Sequence, residues 1–185
     1  NSTAAFAPGD EVSILSWNIG YAGLGEESDF FMDGGKQTRA PSKAIVEKNM
    51  DGIVATVQSM AADFTFLQEI DAGPSTHAYG IEEAGRLRTE TQLDSAHALN
   101  YKCAFVPYPI PPIGRVNTGL MTLSTAPIAS AERIALPSPF KWPMSVANLK
   151  RCLMPVYIDL EGTDAQLVLV NLHLEAYDDG EGKAA

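Results

Sequence analysis

Apolar and polar residues alternate with different periods along the chain, and each change of period marks a predicted element. A period of two over Val12–Asn18 predicts a first strand that ends at Asn18. Apolar residues at helical spacing over Ser42–Ala61 predict the clearest helix, with Pro41 in its first turn. The apolar run that follows, Phe64–Asp71, predicts a buried strand that carries Glu69 at its end.

The later part of the chain is richer in predicted strands. We predict a weaker helix over Tyr79–Leu99, strands over Tyr101–Val106, Gly119–Ser124, Cys152–Leu160 and Leu167–Leu172, a loop over Pro137–Asn148 and an acidic, mobile segment after Tyr177. Residues 107–112 contain four prolines, which cannot donate to a strand ladder, so they are predicted as extended surface chain. The order strand, helix, strand, helix and then mostly strands predicts one mixed α/β layer domain.

Polar residues stand at the predicted ends of three apolar strands. If the first two strands run parallel, Asn18 and Glu69 emerge at the same edge of the sheet, and His173 follows the last strand. An ionised carboxylate at the end of a buried strand needs a partner, and a metal cation is a common one. Taken singly, the three have ordinary explanations: a turn asparagine, a solvated glutamate and a hydrogen-bonded structural histidine. Their shared position makes them a candidate site.

Composition narrows the choice of partners. The chain has 185 residues, a hydrophobic content of 45% and a formal net charge of −10, which fit a globular domain and argue against tight binding to a nucleic-acid backbone. No apolar run is long enough to span a bilayer, and the compartment stays open because a removed export signal would leave no trace. Cys103 and Cys152 are interpreted as buried thiols, with a single disulfide as the alternative.

Four short motifs resemble those of the endonuclease/exonuclease/phosphatase superfamily, in the right order and spacing. They are Leu15–Asn18, Leu67–Glu69, Asn117–Ser124 and Val170–Leu174. This superfamily includes pancreatic deoxyribonuclease, abasic-site endonucleases, inositol-polyphosphate 5-phosphatases and neutral sphingomyelinases. The resemblance covers residues 12 to about 177. It implies half of a four-layer αββα sandwich, with a mixed β-sheet and helices on one face.

The resemblance also implies roles for individual residues. Glu69 corresponds to the metal-binding glutamate, and Asn18 corresponds to the strand-end asparagine beside metal and phosphate. His173 corresponds to an active-site histidine that contacts the scissile phosphate. Arg115 and Asn117 are expected to reach phosphate, although a solvated loop is an equally good interpretation. The implied cofactor is Mg²⁺ or Mn²⁺, because Mg²⁺ is commonly held by one or two carboxylates plus substrate phosphate and water.

The chain departs from the superfamily pattern after His173. Superfamily members continue into an Asp-x-Asn motif and a Ser-Asp-His motif, which supply a water-activating aspartate and a second histidine. We therefore expect residues 1–185 to form a single, incomplete domain that is inactive alone. Its first sheet is expected to present an apolar face that the missing half or another chain covers.

These implications lead to three hypotheses about function. The first is a Mg²⁺-dependent hydrolase of phosphodiesters or phosphomonoesters, in which water attacks phosphorus. Its substrate would be a phosphorylated small molecule, a phospholipid or a nucleic acid, and the acidic charge favours the first two over duplex DNA. The second is a non-catalytic binding module that retains the fold. The third is a nuclease, which would need a basic stripe.

Overall fold

A computed structural model describes residues 3–31, 34–137 and 150–174. Its elements in chain order are β1 (Ile14–Asn18), a 3₁₀ turn (Gly20–Ala22), α1 (Lys43–Met60), β2 (Phe64–Asp71), α2 (Glu83–Thr91), β3 (Asp94–Val106), β4 (Gly114–Ser124), β5 (Ser130–Ala131), β6 (Ile134–Ala135), β7 (Cys152–Asp159) and β8 (Gln166–Leu172). Within these residues, neither helix has the length and apolar character needed to cross a membrane.

The first sheet is mixed and has the strand order β1-β2-β4-β3. β1 and β2 are parallel, as predicted, whereas β4 runs antiparallel to both β2 and β3. Because β1 and β2 are parallel, Asn18 lies opposite Gln68, one residue before Glu69. The predicted fold class is confirmed: a mixed sheet carries both helices on one face.

Helix α1 packs on the face of the first sheet that also carries α2. Its N-cap is Ser42, whose Oγ accepts a hydrogen bond from the Ile45 backbone N–H at 3.2 Å, so Pro41 precedes the cap and does not lie in the first turn as predicted. The buried residues of α1, including Met50 and Val57, belong to one core cluster with residues of β2 and β4. Burial of this apolar stripe is what holds the helix on the sheet.

The second sheet covers the other face of the first sheet. β7 pairs with β8 on one side and with the short β5 and β6 on the other. Phe64 and Leu120 of the first sheet share a buried cluster with Met154 and Val156 of β7. The expectation of an uncovered first sheet was therefore wrong, because the chain's own later strands cover it. In the second sheet, exposed apolar residues of β8 include Val168, Val170 and Leu172.

The predicted helix over Tyr79–Leu99 is also wrong in extent. α2 ends at Thr91, and Gln92 adopts a left-handed φ of 57° that closes the last turn. β3 begins at Asp94, which pairs with Ser124, so pairing with a buried neighbour overrides the weak helical pattern. β4 likewise begins five residues earlier than predicted, at Gly114 instead of Gly119.

The remaining predictions concern the proline-rich segment, the two cysteines and two loops. Residues 107–113 lie outside the strands, as their prolines predicted. Cys103 and Cys152 are both free thiols. The predicted loop over Pro137–Asn148 and the segment after Tyr177 fall, apart from Pro137 itself, outside the described residues.

Candidate active site

A bulge in β2 sets the position of Glu69. The register between β2 and β4 shifts between Gln68 and Ile70, and Glu69 between them has a φ of 54°. A bulge adds one unpaired residue to a strand and redirects its side chain. The sequence predicted that Glu69 ends its strand. Glu69 lies instead within β2, at the point where the bulge interrupts the regular alternation of side chains.

The redirected Glu69 faces His173, which follows β8 in the second sheet. Glu69 Oε1 lies 3.8 Å from His173 Nε2, and the two side chains are about one-fifth exposed, at 20% and 19%. These side chains come from residues separated by more than one hundred positions in the sequence and from different sheets. The structure thus brings together two of the predicted site residues at an edge that a ligand can reach.

A buried bridge fixes the two strands just beneath this pair. Gln68 Nε2 donates to Asn171 Oδ1 at 2.9 Å. Asn171 Nδ2 in turn donates to the backbone oxygens of Leu67 and Met121, at 3.3 and 2.9 Å. Asn171 is only 1% exposed, so these bonds replace water for its amide group. The bridge holds β8, and with it His173, against the first sheet.

Arg151 determines which ring nitrogen of His173 carries the proton. Arg151 Nη1 lies 3.0 Å from His173 Nδ1. A guanidinium group only donates hydrogen bonds, so Nδ1 acts as the acceptor and the proton of the neutral ring is assigned to Nε2. His173 therefore presents an N–H donor towards Glu69 and any ligand held there.

Asn18 lies at the end of β1, beside the bulge. Its Oδ1 accepts a hydrogen bond from the Gly20 N–H at 3.0 Å, which shapes the turn after the strand. The next residue, Ile19, donates its backbone N–H to the Gln68 oxygen at 3.1 Å. The exposed Asn18 residue therefore lies opposite Gln68, the residue before Glu69, at the sheet edge that the sequence predicted. Its side chain hydrogen-bonds to the backbone of its own turn.

Tyr21 belongs to the same region and was missed by the sequence interpretation. It adopts a left-handed φ of 54° directly after β1. Burial raises the pKa of its phenol well above its usual range, and the carboxylates of Glu69 and Asp71 act in the same direction, whereas Arg151 and a hydrogen bond with Thr118 lower it. The phenol therefore stays neutral at physiological pH. Its position three residues after Asn18 was the available signal.

A second acidic cluster lies buried behind the site. His77 Nε2 lies 2.9 Å from Asp71 Oδ2, an ion-pair distance, although the angles do not meet hydrogen-bond criteria. Glu83 Oε2 accepts the Asp71 N–H at 3.0 Å. Burial, and then the nearby Asp71 charge, raise the pKa of the Glu83 carboxyl well above its usual value. The His77 ring also contacts the Tyr21 ring edge-on at 4.7 Å.

The two predicted phosphate contacts lie elsewhere on the same edge. Arg115 lines a cleft between the start of β4 and the loop after β2. Asn117 packs against Gly73, where an added Cβ would come within 2.1 Å of Asn117 Nδ2. Both residues lie inside β4 and not in a loop before it. The structure therefore does not bring Arg115 and Asn117 into contact with the Glu69–His173 pair.

The donor set fits a single divalent ion with few protein ligands. In the part of the chain that the structure describes, no three His, Cys, Asp or Glu side chains are grouped as metal ligands. Glu69 offers a carboxylate that is 20% exposed, and Asn18, which pairs with the preceding residue Gln68, offers an amide oxygen. Both are hard oxygen donors of the kind that Mg²⁺ accepts while it keeps several waters. Glu69 and Asn18 are thus the residues that would hold such an ion.

Comparison with solved structures decides the fold. An endonuclease/exonuclease/phosphatase protein from Beutenbergia cavernae superposes with a TM-score of 0.58 and 20% sequence identity, over 91% of this chain. The chain has the fold of endonuclease/exonuclease/phosphatase proteins. Neither the protein-family models nor the curated proteins give a match.

Two further structures share this endonuclease/exonuclease/phosphatase fold. The human Nocturnin catalytic domain with bound sulfate gives a TM-score of 0.57 at 14% identity, over 93% of this chain. TDP2 from D. rerio, in complex with a single-stranded DNA product, gives a TM-score of 0.52 at 14% sequence identity, also over 93% of this chain. The chain spans 39%, 52% and 50% of the lengths of these three proteins. At this level of identity the similarity concerns the fold.

Proposed function

We propose that this chain contributes the metal- and phosphate-binding edge of a divalent-metal-dependent phosphoesterase. The observation that carries the proposal is the approach of Glu69 and His173 to 3.8 Å from two different sheets. A carboxylate and a ring N–H donor at a partly exposed edge can hold a metal ion and a phosphoryl oxygen side by side. Residues 1–185 then form part of one such domain, and the activity belongs to the whole protein.

The residues around this pair have complementary parts in the proposal. His173 donates its Nε2–H to a phosphoryl oxygen, because Arg151 occupies Nδ1. The Arg151 guanidinium adds a fixed positive charge behind the ring, which favours an anionic substrate and its transition state. Tyr21, held neutral by burial and the surrounding carboxylates, offers a hydroxyl donor at the same edge. These groups position and stabilise charge, and the attacking oxygen is water.

Glu69 and Asn18 would hold the divalent ion in this proposal. Bound there, Mg²⁺ or Mn²⁺ would polarise the phosphoryl oxygen as a Lewis acid. The assignment rests on hard oxygen donors and on the bulge, which points Glu69 at the gap between the sheets.

The proposed reaction is hydrolysis of a phosphodiester or phosphomonoester. The net charge of −10 favours a small phosphodiester, a phospholipid or a sugar phosphate over duplex DNA. Single-stranded nucleic acid is the second candidate, because the similar TDP2 structure holds a single-stranded DNA product.

Metal binding tests the proposal most directly. Isothermal titration calorimetry of the chain with MgCl₂ and MnCl₂ should show binding that Glu69→Gln weakens by about 10- to 100-fold. Glu132→Gln is the matched control, because Glu132 is an exposed carboxylate next to β5 in the second sheet. If neither ion binds, or if Glu69→Gln changes nothing, a non-catalytic binding module that retains the fold becomes the better account.

A further inference from the structure

A cleft separate from the Glu69–His173 pair is lined by two arginines and no acidic residue. It has a volume of about 390 Å³, and its walls include Arg39, Arg115, Ser75, Thr76 and Phe105. Neither arginine side chain has a hydrogen-bond or ion-pair partner among residues 3–31, 34–137 and 150–174. Both side chains are exposed, so in a chain with a net charge of −10 they place two positive charges at one cleft.

The start of β4 is tied to the loop after β2, which fixes the backbone that carries Arg115. The Arg115 N–H donates to Thr76 Oγ1, and the Thr76 N–H donates to the Arg115 carbonyl, both at 2.8 Å. The preceding Gly114 has a φ of 81°, and an added Cβ would come within 2.5 Å of Thr76 Oγ1. Glycine is thus required at this position for the close approach.

The same loop holds the segment that carries Arg39. The Ala40 N–H donates to the His77 carbonyl at 3.1 Å, and the Tyr79 hydroxyl donates to the Ala40 carbonyl at 2.9 Å. Thr38 and Ala40, on either side of Arg39, are buried, whereas Arg39 itself is exposed. The two guanidinium groups therefore extend from ordered backbone, so the cost of ordering on anion binding is confined to the side chains.

Two arginines and nearby hydroxyls match the chemistry of a phosphate group. Guanidinium groups bind phosphate oxygens through paired, charge-assisted hydrogen bonds. The hydroxyls of Ser75 and Thr76 accept backbone N–H groups, and each retains its own proton to donate. Phe105, which is 60% exposed, adds an apolar wall. Such a site suits a phosphate attached to an organic group.

The cleft lies a short distance along β4 from the candidate active site. Arg115 lies three residues along β4 from Thr118, which pairs with Asp71 near the end of β2. Three residues of strand span about 10 Å. The loop that forms the cleft also carries His77, whose ring contacts Tyr21. One extended substrate can therefore reach both places.

We propose that the Arg39–Arg115 cleft binds a second phosphate group of the substrate, one that is not cleaved. This inference rests on the proposed function for the cleaved phosphate, but the cleft's affinity for phosphate does not depend on it. The substrate then carries at least two phosphate groups, as an oligonucleotide or a bisphosphorylated small molecule does.

Binding of inorganic phosphate to the chain, without added metal, tests the cleft by itself. Calorimetric titration should show a phosphate affinity that Arg39→Gln and Arg115→Gln each lower by about 10-fold. Arg88→Gln should leave it unchanged, since Arg88 is an exposed arginine on α2 outside the cleft. Circular dichroism checks that each variant is folded. A phosphate affinity that is the same in all four proteins, or no binding at all, would overturn the proposal.

Hydrolysis by the full-length protein tests the link to the substrate. The p-nitrophenyl ester of thymidine 5′-phosphate is compared with the same ester carrying an added 3′-phosphate. Each cleft variant should lower kcat/KM about 10-fold for the second substrate and leave the first unchanged. Equal effects on both substrates would contradict a second phosphate site. If neither substrate is hydrolysed while phosphate binding still depends on the arginines, the proposed function fails and the cleft remains an anion site.

Adding a short single-stranded oligothymidylate and a sugar bisphosphate as competitors separates the two sources of the second phosphate. The competitor that inhibits hydrolysis more strongly, and whose inhibition is weaker in Arg115→Gln, identifies the chemical class of the substrate. If the inhibition by both is insensitive to Arg115→Gln, neither uses the cleft and the proposal fails.

Discussion

Two pairs of polar side chains link β2 with β8 and the residue just after it, and the two pairs behave differently. Gln68 and Asn171 are almost fully buried and make a 2.9 Å hydrogen bond. Glu69, the residue after Gln68, and His173, two residues after Asn171, are about one-fifth exposed and 3.8 Å apart. The first pair therefore has the geometry of a buried, fully formed hydrogen bond. The second is too long for a hydrogen bond, and its members keep about one-fifth of their surface exposed, so a ligand can approach them.

The difference shows that neighbouring residues of one strand can serve different purposes, Gln68 the stability of the fold and Glu69 the candidate site. A buried amide must satisfy its hydrogen bonds within the protein, and removal of its partner costs free energy of unfolding. A carboxylate that keeps part of its surface in water, as Glu69 does, is expected to contribute less to stability than a buried, hydrogen-bonded amide. The bulge at Glu69 places both kinds of residue on neighbouring positions of β2.

The largest effect is expected on activity when Glu69 is changed. Glu69→Gln should lower phosphoester hydrolysis by the full-length protein about 100-fold or more, because the negative charge that holds the metal is lost. Its free energy of unfolding should change by less than about 0.5 kcal/mol, as for other partly exposed charges. Denaturant titration and a steady-state assay measure the two quantities. A large loss of stability would show that Glu69 is structural, like Gln68.

The buried bridge should show the opposite behaviour. Asn171→Leu removes hydrogen bonds to Gln68 and to two backbone oxygens, and it should lower the free energy of unfolding by about 2–4 kcal/mol. Val168→Thr, an exposed position on the same strand, should change it by less than about 0.5 kcal/mol. Urea unfolding of both variants measures this difference. Equal stabilities would remove the distinction between the two pairs.

The tautomer of His173 sharpens the comparison further. If Arg151 occupies Nδ1, ¹⁵N-edited NMR of the neutral ring should show the proton on Nε2. Arg151→Gln should raise the fraction of the other tautomer and lower hydrolysis about 10-fold, equivalent to about 1.4 kcal/mol of transition-state stabilisation. Arg88→Gln serves as the control. A wild-type protein with its proton on Nδ1 would contradict the proposed role.

Glu83 provides a buried carboxyl to compare with Glu69. Because its pKa is raised in the folded state, the folded protein binds its proton more tightly than the unfolded chain does. The contribution of Glu83 to stability is therefore most favourable below about pH 4.5 and declines as the pH rises towards the folded pKa. Glu83→Gln, which cannot ionise, should become progressively more stable relative to wild type from pH 5 to pH 8, by thermal unfolding. A difference that does not depend on pH would mean that Glu83 is ionised in both states.

Part of the site was accessible from the sequence. The end of the alternating stretch at Asn18 predicted its place at a sheet edge, and parallel pairing with β2 put Glu69 beside it. The motif around His173 marked the end of the last strand. Tyr21 was signalled only by its closeness to Asn18, and Arg151 and Arg39 carried no comparable signal. They lie outside the periodic segments, and their position depends on which loops contact one another.

The amino-acid sequence by itself determined the helix predicted over Ser42–Ala61 and the first two strands with Asn18 and Glu69 near their ends, because hydrophobic periodicity is a local property. The tertiary structure alone decided that the second sheet covers the first and that a bulge turns Glu69 towards His173. It also decided that Arg39 and Arg115 share a cleft. These features depend on burial and pairing between distant segments, where the free energy of packing outweighs local preference.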